Sequence, residues 1–412
     1  MIAYERTTLA NGLTVAVNRD RASKLAAVNI LYKVGARNEN PARTGFAHLF
    51  EHLMFRGTRE VPNFDLPVQM ASGDNNAFTN NDYTDFYITL PKDNLETALW
   101  LESDRMEGLE ITPEKLAAEK KVVIEEFRQR YLNQPYGDQT MLLRALAYKV
   151  HPYRWAAIGL TTEHIASASP DDVGEFYRTH YHPSNAILSI SADMEEERML
   201  ELAEKWFGGL PDTPRPAAPI PQEPPQEAPR REEVERDVPA TTVTVAYRMG
   251  TRTSPDFYTA DLVSDLLSGG DSGRLYRHLV KERRLLSSVN AYVTGDLDPG
   301  LFVFTGQLLP GVAPEAAEAA FREEIETLRT APISQYETEK VKNKFEANTL
   351  FGELNVMNKA MNLGFYEMVG DLPLINGEVA RYRAVSDEDI RAFCRSTLRP
   401  ENASTLIYKA RK

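Results

Sequence analysis

The sequence contains one cysteine, Cys394, and no long apolar run. A single cysteine excludes an internal disulfide framework and favours a reducing compartment. No stretch of about 18 apolar residues occurs, which argues against a membrane-spanning helix. The first residues lack the charged and apolar regions of a secretory signal. We therefore expect a cytoplasmic protein without a membrane partner; a periplasmic location requires an export signal that has already been removed.

Basic residues are scarce relative to acidic ones: 47 lysines and arginines stand against 60 aspartates and glutamates, which gives a net charge of -13. This balance argues against nucleic acid as a partner and is compatible with basic peptides as substrates. The composition, 42% hydrophobic and 26% charged, is typical of a globular protein. A chain of 412 residues is longer than one hydrophobic core usually accommodates, which indicates two or three domains.

Proline is concentrated between Pro211 and Pro239, in a charged segment that is typical of a semi-rigid, extended spacer. Its central position predicts an N-terminal domain of residues 1–210, a linker of residues 211–239 and a C-terminal domain of residues 240–412. The two flanking regions share short patterns. YKVGAR at residues 32–37 matches YRMGTR at 247–252, and PSNA at 183–186 matches PENA at 400–403. We therefore predict an α+β protein with two homologous domains, each a mostly antiparallel sheet packed with helices.

The first half contains the pattern H-x-x-E-H, formed by His48, Glu51 and His52 within an apolar stretch that favours a helix. Residues four apart lie on one face of a helix, so both histidines can bind one metal ion. Glu51 stays near that face and can take a proton from a water molecule. Two such histidines also occur as ordinary core or surface residues. The corresponding region of the second half, residues 260–266, lacks the pattern, which predicts one metal ion per chain.

A second helix is expected to begin at Thr112 and Pro113, a good N-cap followed by a good first helical residue. It carries Glu119, Glu125 and Glu126. A catalytic zinc site needs a third protein ligand, and a carboxylate on this helix can supply it. Glu125 and Glu126 both qualify by position. Glu119 and Glu126 are two helical turns apart and share a face, although acidic residues on helices are more often simply solvated.

These features together resemble the inverted-motif zinc peptidases of family M16, which includes pitrilysin, insulin-degrading enzyme and the mitochondrial processing peptidase. The resemblance is strongest to the short two-domain branch and covers essentially the whole chain. It implies a zinc endopeptidase with His48, His52 and Glu126 as zinc ligands and Glu51 as the general base. It also implies that Glu119 orients a ligand from outside the zinc coordination sphere.

The resemblance further implies how a peptide is bound. Asn76, Ala77 and Phe78 are expected on an edge strand to which an extended substrate adds by backbone hydrogen bonds. Phe55 either shapes a neighbouring side-chain pocket or is plain helix core. By analogy alone, a clam-like chamber formed on dimerisation favours unfolded peptides as substrates.

One family feature is missing. Self-sufficient members carry an Arg and, seven residues later, a Tyr in the second half, whereas this chain has Val280 and Ser287 at those positions. Arg277, Arg283 and Tyr292 are candidate replacements, but none preserves the spacing. Since some members divide the zinc motif and the Arg/Tyr pair between two subunits, we expect this chain to be the zinc-bearing subunit of a heterodimer with a homologous partner; a homodimer is the alternative.

Two other functions are consistent with the sequence. The chain can be a non-catalytic subunit that binds zinc or peptides within a heteromeric peptidase, or a metal-dependent hydrolase of non-peptide substrates. The complete set of His48, Glu51, His52, Glu119 and Glu126 argues against a relic, because a degenerate site usually loses a member.

Overall fold

The computed structural model describes residues 1–212, 214 and 216–411. They form two compact units, each assembled from three parts of the chain. The first unit comprises Met1–Arg128, Trp155–Ile220 and Leu350–Gly377, and the second comprises Gln129–Arg154, Pro221–Thr349 and Glu378–Lys412. This division differs from the contiguous domains 1–210 and 240–412 expected from the sequence. Thr213 and Arg215 of the expected linker, and Lys412, lie outside the described residues.

A six-stranded sheet forms the centre of the first unit. Its strands are β1 (Glu5–Thr8), β2 (Thr14–Arg19), β3 (Leu25–Tyr32), β4 (Asp74–Thr79), β5 (Thr84–Pro91) and β6 (Ala186–Ala192). The strand order is β1-β2-β6-β3-β5-β4, and every pair is antiparallel except β2 and β6. All residues of β3 after Leu25 are buried, so both faces of this central strand are covered. Strand β4 lies at an edge of the sheet.

The first unit also contains helices, some of which pack on the sheet and others on a neighbouring helix. They are α1 (Phe46–Leu53), α2 (Asp65–Met70), α3 (Leu95–Gly108), α4 (Pro113–Phe127), α6 (Thr162–Ala166), α7 (Pro170–His180), α8 (Glu196–Phe207) and α12 (Val356–Met368). Helix α12 comes from the second half of the sequence and contacts β3, where Val356 and Ala360 pack on Ala27. Helix α4 begins as predicted, because the Thr112 hydroxyl accepts a hydrogen bond from the Lys115 N–H at 3.2 Å and Pro113 occupies the first position.

The second unit repeats this design around a five-stranded sheet. Its strands are β7 (Arg230–Arg236), β8 (Thr242–Arg248), β9 (Leu286–Val293), β10 (Leu301–Leu308) and β11 (Ala403–Ala410). The remaining helices are α5 (Gln139–Ala147), α9 (Asp256–Ser268), α10 (Pro314–Thr330), α11 (Gln335–Gly352), α13 (Leu374–Ala384) and α14 (Asp387–Ser396). Helix α5 comes from the first half of the sequence and packs against β8 and β11. Among the described residues, no helix combines the length and apolar character needed to cross a bilayer.

The two sheets confirm the predicted internal repeat. The order β2-β6-β3-β5-β4 in the first recurs as β7-β11-β8-β10-β9 in the second, and β7 and β11 form the parallel pair that corresponds to β2 and β6. The predicted α+β class with two homologous, mostly antiparallel domains is therefore confirmed. Strand β7 lies within the segment expected to be a spacer. Its residues alternate between half-buried and exposed positions, and the strand pairs with β11.

An ion pair inside the first unit offers a test of its stability. Arg105 donates to both oxygens of Glu102 at 2.6 and 2.7 Å, and the two side chains are 1% and 0% exposed. We expect Glu102→Gln to lower the free energy of unfolding by about 3–5 kcal/mol, because it leaves the charge of Arg105 buried without its counter-charge. Urea unfolding followed by circular dichroism measures the change.

Glu96, in the same helix, provides the matched control. Its carboxylate pairs with Lys205 at the surface, where both side chains are about half exposed. Glu96→Gln is expected to cost no more than about 1 kcal/mol. Equal losses in the two variants would contradict the assignment of the Glu102 effect to burial.

Candidate metal centre

Helix α1 presents its histidines because its other side is fixed in the core. Phe46, Leu49, Phe50 and Leu53 are no more than 4% exposed. Consequently His48, Glu51 and His52 share the remaining side, where His48 is buried and the other two are half-buried.

The start of α1 is held by a buried carboxylate. Glu39 accepts hydrogen bonds from the N–H groups of Gly45 and Ala47 at 2.9 Å, and from the indole N–H of Trp155 at 3.1 Å. Burial raises the pKa of Glu39 to about 8, although these donors favour its ionised form. Gly45 adopts a φ of 89°, and a Cβ there would lie 2.6 Å from the carbonyl oxygen of Ile158. Both features restrict how α1 enters the core.

His48, His52 and Glu126 converge on one point. Oε2 of Glu126 lies 3.6 Å from Nε2 of His48 and 3.3 Å from Nε2 of His52. The potential ligand atoms of all three side chains lie within 4.8 Å of one another. A tetrahedral zinc ion with bonds of about 2.0 to 2.1 Å separates its ligands by about 3.4 Å. The spacing and the donor set, two imidazoles and a carboxylate, therefore fit zinc and leave a fourth position for water or substrate.

Glu125, the other candidate ligand, points elsewhere. Its side chain is 55% exposed and lies 3.6 Å from the guanidinium of Arg128. Adjacent residues on a helix are about 100° apart around the axis, so α4 can direct only one of the two carboxylates at the histidines.

Glu119 supports the site from behind. Its Oε2 lies 3.4 Å from Nδ1 of His52, its other oxygen pairs with Arg56, and its side chain is 2% exposed. A hydrogen bond from Nδ1–H of His52 to Glu119 would fix the orientation of the ring and leave Nε2 to bind a metal ion. Burial lowers the pKa of His52, but the hydrogen bonds with Glu119 and Glu126 outweigh burial and raise this pKa to about 9. The centre is thus strongly attractive to a positive charge.

Arg56 is a site residue that the sequence reasoning did not identify. It follows His52 by four residues and lies in the turn after the end of α1. This spacing was the available signal. Arg56 is half exposed, and its guanidinium balances the buried charge of Glu119.

This arrangement predicts that metal affinity depends on residues that do not bind the metal. We expect Glu119→Gln to weaken zinc binding by about 10- to 100-fold and Arg56→Leu by about 10-fold, since both loosen the orientation of His52. Competition with a chromophoric chelator measures the dissociation constants. Arg59→Leu removes an exposed charge nearby and serves as the control. An unchanged zinc affinity in Glu119→Gln would refute this role.

A cleft of about 350 Å³ opens beside His52. Glu51, Phe55, Arg56, Asp65, Asn76 and Glu119 complete its lining. Glu51 thus faces the same space as the zinc-ligand candidate His52. Phe55 also faces this space, although its ring packs on the core residues Phe64 and Phe86 at centroid distances of 5.7 and 6.0 Å. Its position is therefore compatible with both interpretations, a wall of a side-chain pocket and a residue of the core.

The predicted substrate strand is the edge strand β4. Asn76 lines the cleft, Ala77 is buried, and Phe78 packs against Tyr83 at 5.6 Å. The N–H of Ala77 donates to Oδ1 of Asn76 at 2.9 Å. This backbone group therefore points away from β5, towards the open side of the sheet.

The candidate replacements for the Arg/Tyr pair all lie in the second unit. Arg283 pairs with Glu323 at 2.5 Å, the guanidinium of Arg277 lies 3.1 Å from His278, and Tyr292 is a partly exposed residue of β9. Within the described part of the second unit, no three His, Cys, Asp or Glu side chains converge as they do in the first. In α9, which contains the region that corresponds to H-x-x-E-H, Asp265 pairs with Lys344 of α11 at 2.9 Å.

Comparison with known proteins identifies the family. Residues 14–155 match the family described as Insulinase (Peptidase family M16), and residues 167–345 match the Peptidase M16 inactive domain. The chain is 32% identical over 345 residues to the zinc protease PqqE of Helicobacter pylori, which covers 82% of this chain and 78% of that protein. The chain belongs to peptidase family M16.

A solved structure and a further relative from the same family also match most or all of the chain. The crystal structure of a protease from Helicobacter pylori is 28% identical and superposes with a TM-score of 0.94, covering 99% of this chain and all of that one. A probable mitochondrial-processing peptidase subunit beta of Arabidopsis thaliana is 24% identical over 310 residues, 72% of this chain and 58% of that protein. The family and the two-domain fold predicted from the sequence are confirmed.

Proposed function

We propose that this M16 chain is a zinc-dependent endopeptidase that hydrolyses unfolded peptides. The observation that carries the proposal is the convergence of His48, His52 and Glu126 beside a cleft that Glu51 also lines. The similarity to zinc proteases supports the same reaction class. The single cysteine favours the reducing conditions of the cytoplasm.

His48, His52 and Glu126 would hold one zinc ion, which when bound polarises the scissile carbonyl and makes water acidic enough to react near neutral pH. Glu51 accepts the proton of the attacking water and delivers it to the leaving amine. Glu119 and Arg56 keep His52 oriented throughout. An extended substrate can add to β4, where the N–H of Ala77 exchanges its bond to Asn76 for one to the peptide.

The oxyanion that develops during hydrolysis needs a further hydrogen-bond donor, and losing such a donor typically costs about 3 to 4 kcal/mol of barrier. Val280 and Ser287 cannot replace an Arg and a Tyr in this role. The proposal therefore includes a homologous partner subunit that supplies the pair. The similarity to a protein named as a subunit beta supports a divided enzyme.

Quenched fluorescent peptides test this function. We expect the zinc-loaded chain to be weakly active alone and fully active with a homologous subunit that carries the Arg/Tyr pair but lacks H-x-x-E-H. Full activity of the chain alone would refute the need for a partner.

The second candidate function is a non-catalytic zinc-binding subunit, which the absence of the Arg/Tyr pair favours. One bound zinc per chain, with no peptide turnover in any combination of subunits, would establish this alternative. Turnover that disappears in Glu51→Gln would exclude it.

A further inference from the structure

The cleft beside His52 combines an apolar surface with an acidic rim. Phe55 forms the apolar part: Phe64 and Phe86 hold its ring, and the buried guanidinium of Arg105 lies 5.6 Å from its centroid. A ring fixed in this way cannot turn aside when a substrate enters. Phe55 therefore offers a rigid wall to the aliphatic part of an incoming side chain.

Asp65 supplies the acidic rim. It is the first residue of α2 and is exposed to solvent. Its Oδ1 accepts one hydrogen bond, from the side-chain amide of Asn75 at 3.2 Å. Among the described residues, Oδ2 of Asp65 has no hydrogen-bond partner, so it is available to a ligand.

The other charges of the cleft are already engaged. Arg56 pairs with Glu119, so these two opposite charges balance each other. Glu51 faces the metal centre, where a bound zinc ion would offset its charge. Asp65 remains as the carboxylate whose charge the cleft itself does not balance.

From this arrangement we infer that the cleft selects a basic side chain, lysine or arginine, at a substrate position next to the cleaved bond. The methylene stem packs along Phe55 and the cationic group pairs with Asp65, which is how amphipathic basic side chains divide between apolar and polar surroundings. This selectivity rests on the proposed peptidase function. It assigns to Asp65 a role in specificity and none in the chemical step.

Peptides that differ at one residue test the inference. Lysine, arginine, norleucine and glutamate are placed in turn at each position flanking the cleaved bond, and kcat/KM is measured with whichever form turns over peptides, the chain or its complex with the partner. Norleucine retains the stem of lysine without its charge. We expect lysine and arginine to exceed norleucine by about fivefold at one position, a ratio typical of one partly exposed ion pair.

Variants of Asp65 test the effect of its charge on the preference. In Asp65→Asn the ratio of kcat/KM for the lysine peptide to that for the norleucine peptide is expected to fall to about one. In Asp65→Lys the preference is expected to shift towards glutamate. Asp93→Asn, an exposed position outside the cleft lining, makes the same change of net charge and should leave the preference intact.

A binding assay separates the failure of the inference from that of the proposed function. Fluorescence anisotropy with zinc-loaded Glu51→Gln protein, with and without Asp65→Asn, compares the affinities of the same peptides at low ionic strength. Equal affinities for lysine and norleucine peptides, or equal losses for both in Asp65→Asn, would overturn the inference even if peptides are cleaved. If no form of the protein cleaves peptides, the proposed function fails and the affinities alone decide the role of Asp65.

Discussion

Replacing Glu51 by Gln is expected to lower kcat/KM for peptide cleavage by on the order of 10³-fold, the central range for removal of a general acid–base group. Glu51 lines the cleft beside His52 and is not one of the three side chains that converge at the metal site. An amide at this position keeps the size of the side chain but cannot accept the proton of the attacking water. Steady-state cleavage of quenched peptides, with the partner subunit present, measures the loss.

Two controls define this experiment. The zinc content of Glu51→Gln is expected to equal that of the unmodified chain, so the loss of rate cannot come from loss of metal. Glu60→Gln changes an exposed glutamate outside the lining of this cleft and should cleave peptides at the original rate. If Glu51→Gln retained more than about a tenth of the activity, another residue would have to be the base.

Replacing Glu126 by Gln is expected to abolish stoichiometric zinc binding. Oε2 of Glu126 lies within 3.6 Å of Nε2 of both histidines, so this carboxylate completes the three-residue site. Residues that only orient a ligand already change metal affinity by about 10- to 100-fold, and removal of a charged ligand should exceed that range. Metal analysis after dialysis, together with chelator competition, measures the content and the affinity.

Glu125→Gln is the matched control, because it alters the neighbouring residue of α4 by the same chemical change. The Glu125 side chain is 55% exposed and lies beside Arg128. We expect one zinc per chain in Glu125→Gln and much less than one in Glu126→Gln. The reverse result would show that the ligand is Glu125 and that α4 presents a different face to α1.

The fold was largely predictable from patterns that local physics imposes. YKVGAR and its counterpart YRMGTR mark the ends of β3 and β8, and PSNA and PENA lead into β6 and β11. Because a repeated fold places the same turn and strand signals at the same points, short matches were sufficient to reveal two homologous units. The start of α4 was predictable for a similar reason, since Thr112 and Pro113 act within one helical turn.

The boundaries of the compact units were not predictable in this way. Helix α5 lies in the second unit and α12 in the first, which exchanges one helix between the two halves of the sequence. Strand β7 likewise falls inside a proline-rich segment whose composition favours a spacer. Which sheet a helix or an edge strand joins depends on the apolar surface available across the fold, and no local pattern records that surface.

By itself, the sequence determined that His48 and His52 share one helical face with Glu51 beside them, because the period of the helix fixes neighbours three and four residues apart. It also determined that only the first half has this motif. Only the tertiary structure decided which carboxylate of α4 meets the histidines, that Arg56 balances Glu119, and that Asp65 borders the cleft. These relations join residues far apart in the chain, and packing between separate elements, which sequence spacing does not encode, sets their distances.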